Sequence, residues 1–313
     1  MTSPEIIGPA SSYYVSQRLR LHFVDWGNED KPPLVLVHGG RDHARSWDWV
    51  ARELRGDWHV IAPDLRGHGD SAWAIGGHYT VQEFVLDLAQ LLTTLDLFPV
   101  TLIGHSLGGS VATHYASVYP ENVSKLVSIE GLGPPPAMIE GRLSRPIWER
   151  LDEWIRQVRD FAGRHPRRYP SIEAAAARMI EENSFLTPEQ ARHLTVHGVS
   201  RNEDGTYSWK FDNYSRVFFP QRYDLQELRQ QWGRITCPTL LVRGLQSWAG
   251  DPEKDGRLAA FRNARSVGID GAAHWVHHDQ LEEFLRVVRG FFEEAPGGFE
   301  EAPGGDGSGT QGK

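Results

Sequence analysis

The chain has 313 residues, of which 40% are hydrophobic, which is enough for a large α/β domain with a substantial core. Its 33 basic and 41 acidic residues give a formal net charge of −8, which argues against nucleic acid and anionic membranes as partners. A lone cysteine, Cys237, excludes an internal disulfide and any multi-cysteine metal site.

The sequence predicts neither a secretory signal peptide nor a membrane-spanning segment. Met1–Glu5 has no basic-then-apolar pattern and predicts no signal peptide. The apolar run over residues 84–103 is interrupted by Asp87, Asp96 and Pro99, so it predicts no membrane span. We therefore expect a soluble cytoplasmic protein.

The first part of the chain alternates predicted strands with predicted helices. Residues 13–26 predict two strands joined at Gln17-Arg18, as a hairpin at the edge of a sheet. The wholly apolar run 34–37 is typical of a strand that is covered on both faces. Further strands are predicted at 59–62, 100–103 and 124–129, with helices between them. The alternation predicts a mainly parallel, doubly wound sheet.

The pattern changes at the stiff segment Gly133-Pro134-Pro135-Pro136. Residues 147–230 are helical in pattern, whereas strands are predicted again at 239–242 and 265–269, before a closing helix. We therefore predict a helical cap inserted into an α/β core, followed by a tail whose acidic, Gly/Pro-rich composition predicts disorder. The predicted boundaries are 1–132 and 233–292 for the core, 133–232 for the cap and 293–313 for the tail.

The sequence Gly104-His105-Ser106-Leu107-Gly108 stands between the strand predicted at 100–103 and a helical pattern that begins after Gly109. A serine on so sharp a turn is strained and needs small neighbours, which Gly104 and Gly108 provide. The turn would lift the Ser106 hydroxyl above the sheet, beside the free backbone N–H groups of the helix. Ser106 is the predicted nucleophile.

A serine hydroxyl needs a base, and the candidate is His274, which follows the last predicted strand. His277 and His278 are predicted inside the last helix, with poor reach, and the His105 side chain is expected to point away from Ser106. The His274 and His278 spacing has no accompanying carboxylate motif, so we expect no metal site. Four other histidines are interpreted as ordinary surface or packing residues: His22, His59, His193 and His197.

Two backbone N–H groups are candidates for the oxyanion hole. One belongs to Leu107, directly after the serine, and the other to Gly40 in His38-Gly39-Gly40. Glycine at that position lets the backbone approach a substrate carbonyl. The alternative interpretation is that these glycines serve only to permit a tight turn.

Two carboxylates are candidates for the acid that orients the base. The loop after the strand at 239–242 has no acid three or four residues past Gly244, where Trp248 stands in that slot. Asp251 is available, but it precedes Pro252 and is a plausible helix cap. Glu130 ends the strand at 124–129, where a buried carboxylate needs a partner, and it is preferred over Asp251.

Together these residues give the chain a pattern that resembles the α/β-hydrolase fold superfamily, in its capped serine hydrolase branch. The resemblance implies a mostly parallel sheet of about eight strands, a Ser–His–acid triad and no cofactor. Some capped relatives place a glutamate after the earlier strand, as Glu130 would be placed. Haloalkane dehalogenases and epoxide hydrolases of this fold use an aspartate nucleophile, whereas this chain has Ser106. Four segments carry the resemblance: His38-Gly39-Gly40, Asp64-Leu65-Arg66-Gly67-His68-Gly69-Asp70-Ser71, Gly104-His105-Ser106-Leu107-Gly108-Gly109 and Gly271-Ala272-Ala273-His274.

The leading hypothesis is a carboxylic ester hydrolase that forms an acyl-enzyme with small or medium, fairly apolar esters. A C–C bond hydrolase, a lactonase and a cofactor-free perhydrolase use the same triad and stay open as alternatives. Outside enzymes, a ligand-binding module on a hydrolase scaffold is the alternative. The partner is therefore a small molecule, whose identity the sequence leaves open, as it does the oligomeric state. Aromatic residues of the cap are candidates to line the pocket: Trp148, Trp154, Trp209, Phe211 and Tyr214.

Overall fold

The computed structural model describes residues 8–76, 79–162, 164–217, 220 and 224–294. Within these residues, eight strands form one sheet and two short strands form another. The strands are β1 (Ala10–Ser16), β2 (Leu19–Asp25), β3 (Pro33–Val37), β4 (His59–Pro63), β5 (Val100–His105), β6 (Val123–Ile129), β7 (Val199–Arg201), β8 (Tyr207–Trp209), β9 (Thr239–Gly244) and β10 (Ala264–Ile269).

The helices of the described residues lie between these strands and after them. They are α1 (Asp48–Leu54), α2 (Val81–Thr94), α3 (Leu107–Val118), α4 (Pro136–Leu143), α5 (Ile147–Ala162), α6 (Ile172–Glu182), α7 (Pro188–Gly198), α8 (Leu225–Trp232), α9 (Val276–Asp279) and α10 (Leu281–Glu293). A short 3₁₀ helix, Ala44–Trp47, precedes α1. No helix in the described part of the chain combines the length and apolar character that a membrane crossing requires.

The large sheet has the strand order β1-β2-β4-β3-β5-β6-β9-β10. β2 is antiparallel to both of its neighbours, and all other neighbouring pairs are parallel. The hairpin predicted at the sheet edge is confirmed, because β1 is the first strand and turns into β2 through Gln17 and Arg18, both with positive φ. The prediction of a mainly parallel sheet of about eight strands is also confirmed.

Alternate residues of the central strands enter two separate hydrophobic layers. Val35 and Val37 pack with α2 and α3 on one face, whereas Leu34 and Leu36 pack with α1 and α10 on the other. All four side chains are fully buried, which explains why β3 is apolar throughout instead of alternating. Helices therefore cover both faces of the sheet, and the carboxyl ends of its parallel strands lie along the same side.

The chain between β6 and β9 departs from the strand–helix alternation, as the sequence predicts. It contains α4 to α8 and the short β7–β8 ribbon, which includes part of the extended piece predicted around Tyr207. Three contacts tie this inserted segment to the loop after β4: the Tyr79 hydroxyl donates to Asp212 at 2.6 Å, Asp212 N–H donates to the Gly67 carbonyl at 2.8 Å, and Lys210 pairs with Asp70 at 2.7 Å.

The C-terminal end differs from the prediction in one respect. His277 and His278 do not lie inside the last helix, since they belong to the separate one-turn helix α9. Gln280, with φ −137° and ψ 62°, is not helical and separates α9 from α10. Helix α10 then continues to Glu293. The disorder predicted for the tail concerns residues that, from 295 onward, lie outside the described part of the chain.

Candidate active site

Ser106 stands at the turn between β5 and α3 with φ 51° and ψ −114°, a conformation that non-glycine residues rarely adopt. A Cβ atom at Gly104 would lie 2.4 Å from the Gly108 carbonyl oxygen, and one at Gly108 would lie 2.2 Å from the Val37 carbonyl oxygen. Both contacts are impossible, so the turn requires glycine at these two positions. The predicted strained turn around Ser106 is therefore confirmed.

The two candidate oxyanion donors come from segments that lie against each other. Leu107 is the first residue of α3, so its N–H has no acceptor within the helix. A Cβ at Gly40 would lie 4.0 Å from Leu107 Cδ2, and a Cβ at Gly39 would lie 2.7 Å from the His105 ring. The backbone at Gly39 thus approaches the serine turn more closely than a side chain would permit, whereas a Cβ at Gly40 would make only an ordinary van der Waals contact.

His38 holds this glycine turn in place. Leu65 N–H donates to His38 Nε2 at 3.0 Å, so the ring proton is on Nδ1, which donates to the Gly39 carbonyl at 2.7 Å. Burial, together with the nearby His68, lowers the pKa of His38 to about 3. The imidazole is therefore neutral at physiological pH and joins the His-Gly-Gly turn to the loop after β4.

The loop after β4 is a buried polar scaffold. Asp64 accepts hydrogen bonds from His22 Nδ1 at 2.7 Å, Ala44 N–H at 2.6 Å and Asp70 N–H at 2.8 Å. Burial by itself would raise the pKa of Asp64, but these donors and the nearby histidines hold it well below its usual range. A Cβ at Gly69 would lie 2.2 Å from the Asp64 carboxyl carbon, so glycine is required there.

His274 follows β10, and its imidazole is held by a carboxylate. Its Nδ1 lies 2.5 Å from Glu130 Oε2, and the Glu130 side chain is fully buried. Because a carboxylate only accepts, Nδ1 carries the proton and Nε2 is free to act as a base. The neighbouring His105 donates from Nε2 to the His274 carbonyl at 2.8 Å, which fixes the His274 backbone beside the serine turn.

Besides its contact with His274, Glu130 accepts hydrogen bonds from the end of β9 and from the loop that follows β9. Gly244 N–H donates to Oε1 at 3.0 Å, and the Ser247 hydroxyl donates to Oε2 at 2.7 Å. Ser247 was not singled out from the sequence, although it stands three residues past Gly244, one of the two positions searched for an acid. A buried carboxylate at the end of β6 needs hydrogen-bond donors. A hydroxyl residue three positions past Gly244 is the sequence feature that could have identified one of them.

Asp251 lies elsewhere. Its carboxylate pairs with Arg243 at 2.8 Å and accepts from Glu253 N–H at 3.1 Å, a local cap of the kind the sequence suggests. Trp248, which stands in the expected acid slot, has its ring centre 5.1 Å from that of His274. The structure thus brings Glu130, and not Asp251, to the imidazole.

The Ser106 hydroxyl makes no hydrogen bond to another described residue. A serine–imidazole bond that is long in the free protein and tightens with substrate is common in such sites. His105, the residue before Ser106, contacts the imidazole of the pair, because the His105 and His274 ring centres are 4.8 Å apart.

Within the described part of the chain, two groups of side chains could supply metal ligands, and both groups are already hydrogen-bonded or ion-paired. Asp48, His193 and His197 lie close together, but Asp48 forms a two-pronged pair with Arg45, at 2.9 Å and 2.6 Å, and a 3.0 Å contact with His193. The second group, His22 with Asp64 and Asp70, is the hydrogen-bonded scaffold described above. Both groups therefore have a structural role as they stand.

A cavity of about 390 Å³ lies between the core and the inserted segment. Gly40 and Trp275 line it, so it adjoins the His38-Gly39-Gly40 turn and the chain directly after His274. Of the cap aromatics proposed from the sequence, Trp209 and Phe211 line this cavity. Trp148 is 69% exposed, and like Trp154 and Tyr214 it does not line the cavity.

Comparison with known proteins gives a consistent result. Residues 32–281 match the sequence profile of a family described as the alpha/beta hydrolase fold. Human epoxide hydrolase 4 is 37% identical over 300 residues, covering 88% of this chain and 76% of that protein. An esterase of Mycobacterium tuberculosis is 28% identical over 274 residues, covering 86% of this chain and 85% of that protein.

Solved structures resemble the fold along almost the whole chain. The thioesterase domain from the curacin biosynthetic pathway has a TM-score of 0.79 at 23% identity and covers 90% of this chain and 99% of that domain. The crystal structure of the M. tuberculosis esterase has a TM-score of 0.70 at 24% identity, with 91% and 92% of the two chains covered. At these identities the likeness concerns the fold alone.

Proposed function

Since the chain belongs to the alpha/beta hydrolase fold family, we propose that it is a serine hydrolase of carboxylic esters with Ser106, His274 and Glu130 as its triad. The observation that carries the proposal is the pairing of a strained serine turn with an imidazole whose Nδ1 lies 2.5 Å from a buried carboxylate. Within this proposal residues 133–232 are the cap, and residues 1–132 and 233–292 are the core.

The mechanism follows from the hydrogen bonds. Glu130 holds the Nδ1 proton of His274, so Nε2 takes the Ser106 proton as the hydroxyl attacks the ester carbonyl. The oxyanion that forms is stabilised by the N–H groups of Gly40 and Leu107. His274 then protonates the departing alcohol, and water, activated by the same Nε2, hydrolyses the acyl-serine.

Ser106 argues against epoxide hydrolysis, the activity in the name of the human relative. A serine alkoxide that opened an epoxide would form an ether, which has no carbonyl for water to attack, so the enzyme would be trapped after one event. An aspartate nucleophile forms an ester instead, which water can cleave. We therefore expect no turnover of styrene oxide.

The test combines an activity-based probe with a substrate panel. A fluorophosphonate probe is expected to label the wild-type chain and Ser110→Ala, a matched serine on α3, but not Ser106→Ala. The 4-nitrophenyl esters should be hydrolysed by the first two proteins, whereas Ser106→Ala should lose about 10⁴-fold or more in kcat. A meta-cleavage product and a lactone in the same panel distinguish the C–C hydrolase and the lactonase. Labelling that persists in Ser106→Ala, or ligand binding without any turnover, would contradict the proposal.

A further inference from the structure

The cavity beside the oxyanion turn has a charge opposite to that of the whole chain. Five arginines and two carboxylates line it, which gives a net charge of +3, whereas the chain carries −8. A cleft with one dominant sign of charge concentrates ligands of the other sign. The charged lining residues are Arg41, Arg164, Arg167, Arg178, Arg216, Asp42 and Glu182.

Of the two carboxylates, only Glu182 pairs with an arginine of the cavity. Glu182 is paired with Arg178, its neighbour on the same helix. The Asp42 carboxylate accepts from the adjacent His43 N–H at 2.9 Å. Arg41, Arg164, Arg167 and Arg216 have no carboxylate within 4.0 Å among the residues that the structure describes, so four guanidinium groups remain available to a ligand.

Three of these arginines are electrostatically coupled, because Arg41 and Arg164 both lie close enough to Arg216 to repel its charge. Burial lowers the pKa of Arg216, the charge of Arg41 lowers it further, and Arg164 adds to the effect, while Glu182 opposes it. Three like charges gathered at one cavity disfavour one another in the free protein, and an anion that enters relieves this repulsion.

The position of Arg41 links the charge to the reaction. It directly follows Gly40, the candidate oxyanion donor, and is held at a φ of 65°, which is costly for a residue with a long side chain. The cavity between the oxyanion turn and the arginines also has apolar walls, provided by Leu186, Leu194 and Phe211. A short apolar chain would therefore span the distance from the scissile carbonyl to the guanidinium groups.

We propose that the substrate is an ester whose acyl chain ends in an anionic group, a carboxylate or a phosphate, which Arg41, Arg164 and Arg216 bind. Arginine suits both anions, because its planar fork offers paired N–H donors to two oxygen atoms. This inference rests on the proposed function, since it concerns the substrate of the same site.

The experiment compares three 4-nitrophenyl esters with six-carbon acyl chains: the hexanoate, the adipate with a terminal carboxylate, and the 6-phosphooxyhexanoate. We expect kcat/KM to be at least about tenfold higher for one of the anionic esters than for the hexanoate, and the better anion identifies the group. Raising the salt concentration from 20 to 500 mM should reduce this ratio, because the arginines remain partly accessible to solvent ions.

Variants assign the preference to the cavity. Arg41→Gln, Arg164→Gln and Arg216→Gln should each lower the ratio about fivefold or more. Arg156→Gln is the matched control, because Arg156 is an exposed arginine of α5 that pairs with Asp152 outside the cavity. It removes the same charge and should leave the ratio as in the wild type.

Two results would overturn this inference while the proposed function stands: equal or lower kcat/KM for both anionic esters with good hydrolysis of the hexanoate, or a preference that all three arginine variants retain. Failure to hydrolyse any of the three esters, with no probe labelling of Ser106, would overturn the proposed function and this inference with it.

Discussion

At the scale of single residues, three strained backbone positions lie around the candidate site. Arg41, Ser106 and Glu130 are non-glycine residues with φ of 65°, 51° and 49°. Each of these conformations costs free energy and persists only where the surroundings hold it, as strand ends and buried hydrogen bonds do for Ser106 and Glu130. Such strain indicates that the position of the side chain matters more than local stability.

Glu130→Gln is expected to lower kcat for a 4-nitrophenyl ester by about 10³–10⁴-fold with little change in KM, because the amide can no longer fix the Nδ1–H form of His274. Asp251→Asn is the control and should change kcat less than about threefold, since Asp251 pairs with Arg243 and not with the imidazole. Steady-state kinetics of the two purified variants measure both effects. A severe loss in Asp251→Asn with little change in Glu130→Gln would mean that the other carboxylate is the acid.

At the scale of elements, the site depends on how closely α3 approaches the strands beneath it. Gly108 lets the first turn of α3 rest on the carbonyl end of β3, and Gly39 lets the next turn of chain pass against the ring of His105. The packing of strand, turn and helix is thus set by close contacts of the glycine backbone that leave no room for a methyl group.

Gly108→Ala should destabilise the protein by roughly 1–3 kcal/mol or more, because its Cβ would collide with the rigid backbone of Val37. Gly141→Ala is the control within α4, where nothing lies within 4 Å of an added Cβ, and it should be neutral or stabilising by up to about 1 kcal/mol. Urea unfolding followed by circular dichroism gives both values. Equal stability of the two variants would contradict the steric account of the turn.

At the scale of the whole molecule, the fold buries several neutral histidines. Burial lowers the pKa of His278 to about 3, and it lowers the pKa values of His105 and His277 well below the usual range. Both ring nitrogens of His277 lack a hydrogen-bond partner among the described residues, and its ring stacks on Trp47. With His38, these histidines make the folded state resistant to protonation, which has a consequence for stability in acid.

We expect the free energy of unfolding to fall by roughly 3 kcal/mol between pH 6.5 and 5.5. Below pH 6.5 the unfolded chain binds protons on these four histidines and the folded chain does not, so stability is lost as the pH falls. Asp279 opposes this loss, because burial raises its pKa to about 6 and the folded state takes up that proton first. Urea unfolding at the two pH values provides the measurement.

His277→Phe keeps an aromatic ring on Trp47 and removes one of these titrating groups, so the loss of stability should shrink by about 1 kcal/mol. The critical result is that the free energy of unfolding falls, and does not rise, as the pH is lowered from 6.5 to 5.5. A wild-type protein that is equally stable at both pH values would show that the buried histidines do not control its stability.

The sequence by itself determined the features that arise from local sterics and short-range pattern. The alternation of strand and helix, the edge hairpin at Gln17-Arg18 and the glycines around Ser106 could all be predicted, because each depends on residues within a few positions of one another. Glu130 could be preferred over Asp251 from its place at a strand end, from the general cost of burying a carboxylate alone and from the resemblance to capped relatives.

Only the tertiary structure decided which distant residues meet. Ser247 donates to Glu130 across 117 positions, and the cavity arginines come from the end of the His38-Gly39-Gly40 turn and from the inserted segment. The break at Gln280, which separates His277 and His278 from the last helix, was likewise not predicted. Contacts of this kind depend on how whole elements pack, so no local spacing in the chain encodes them.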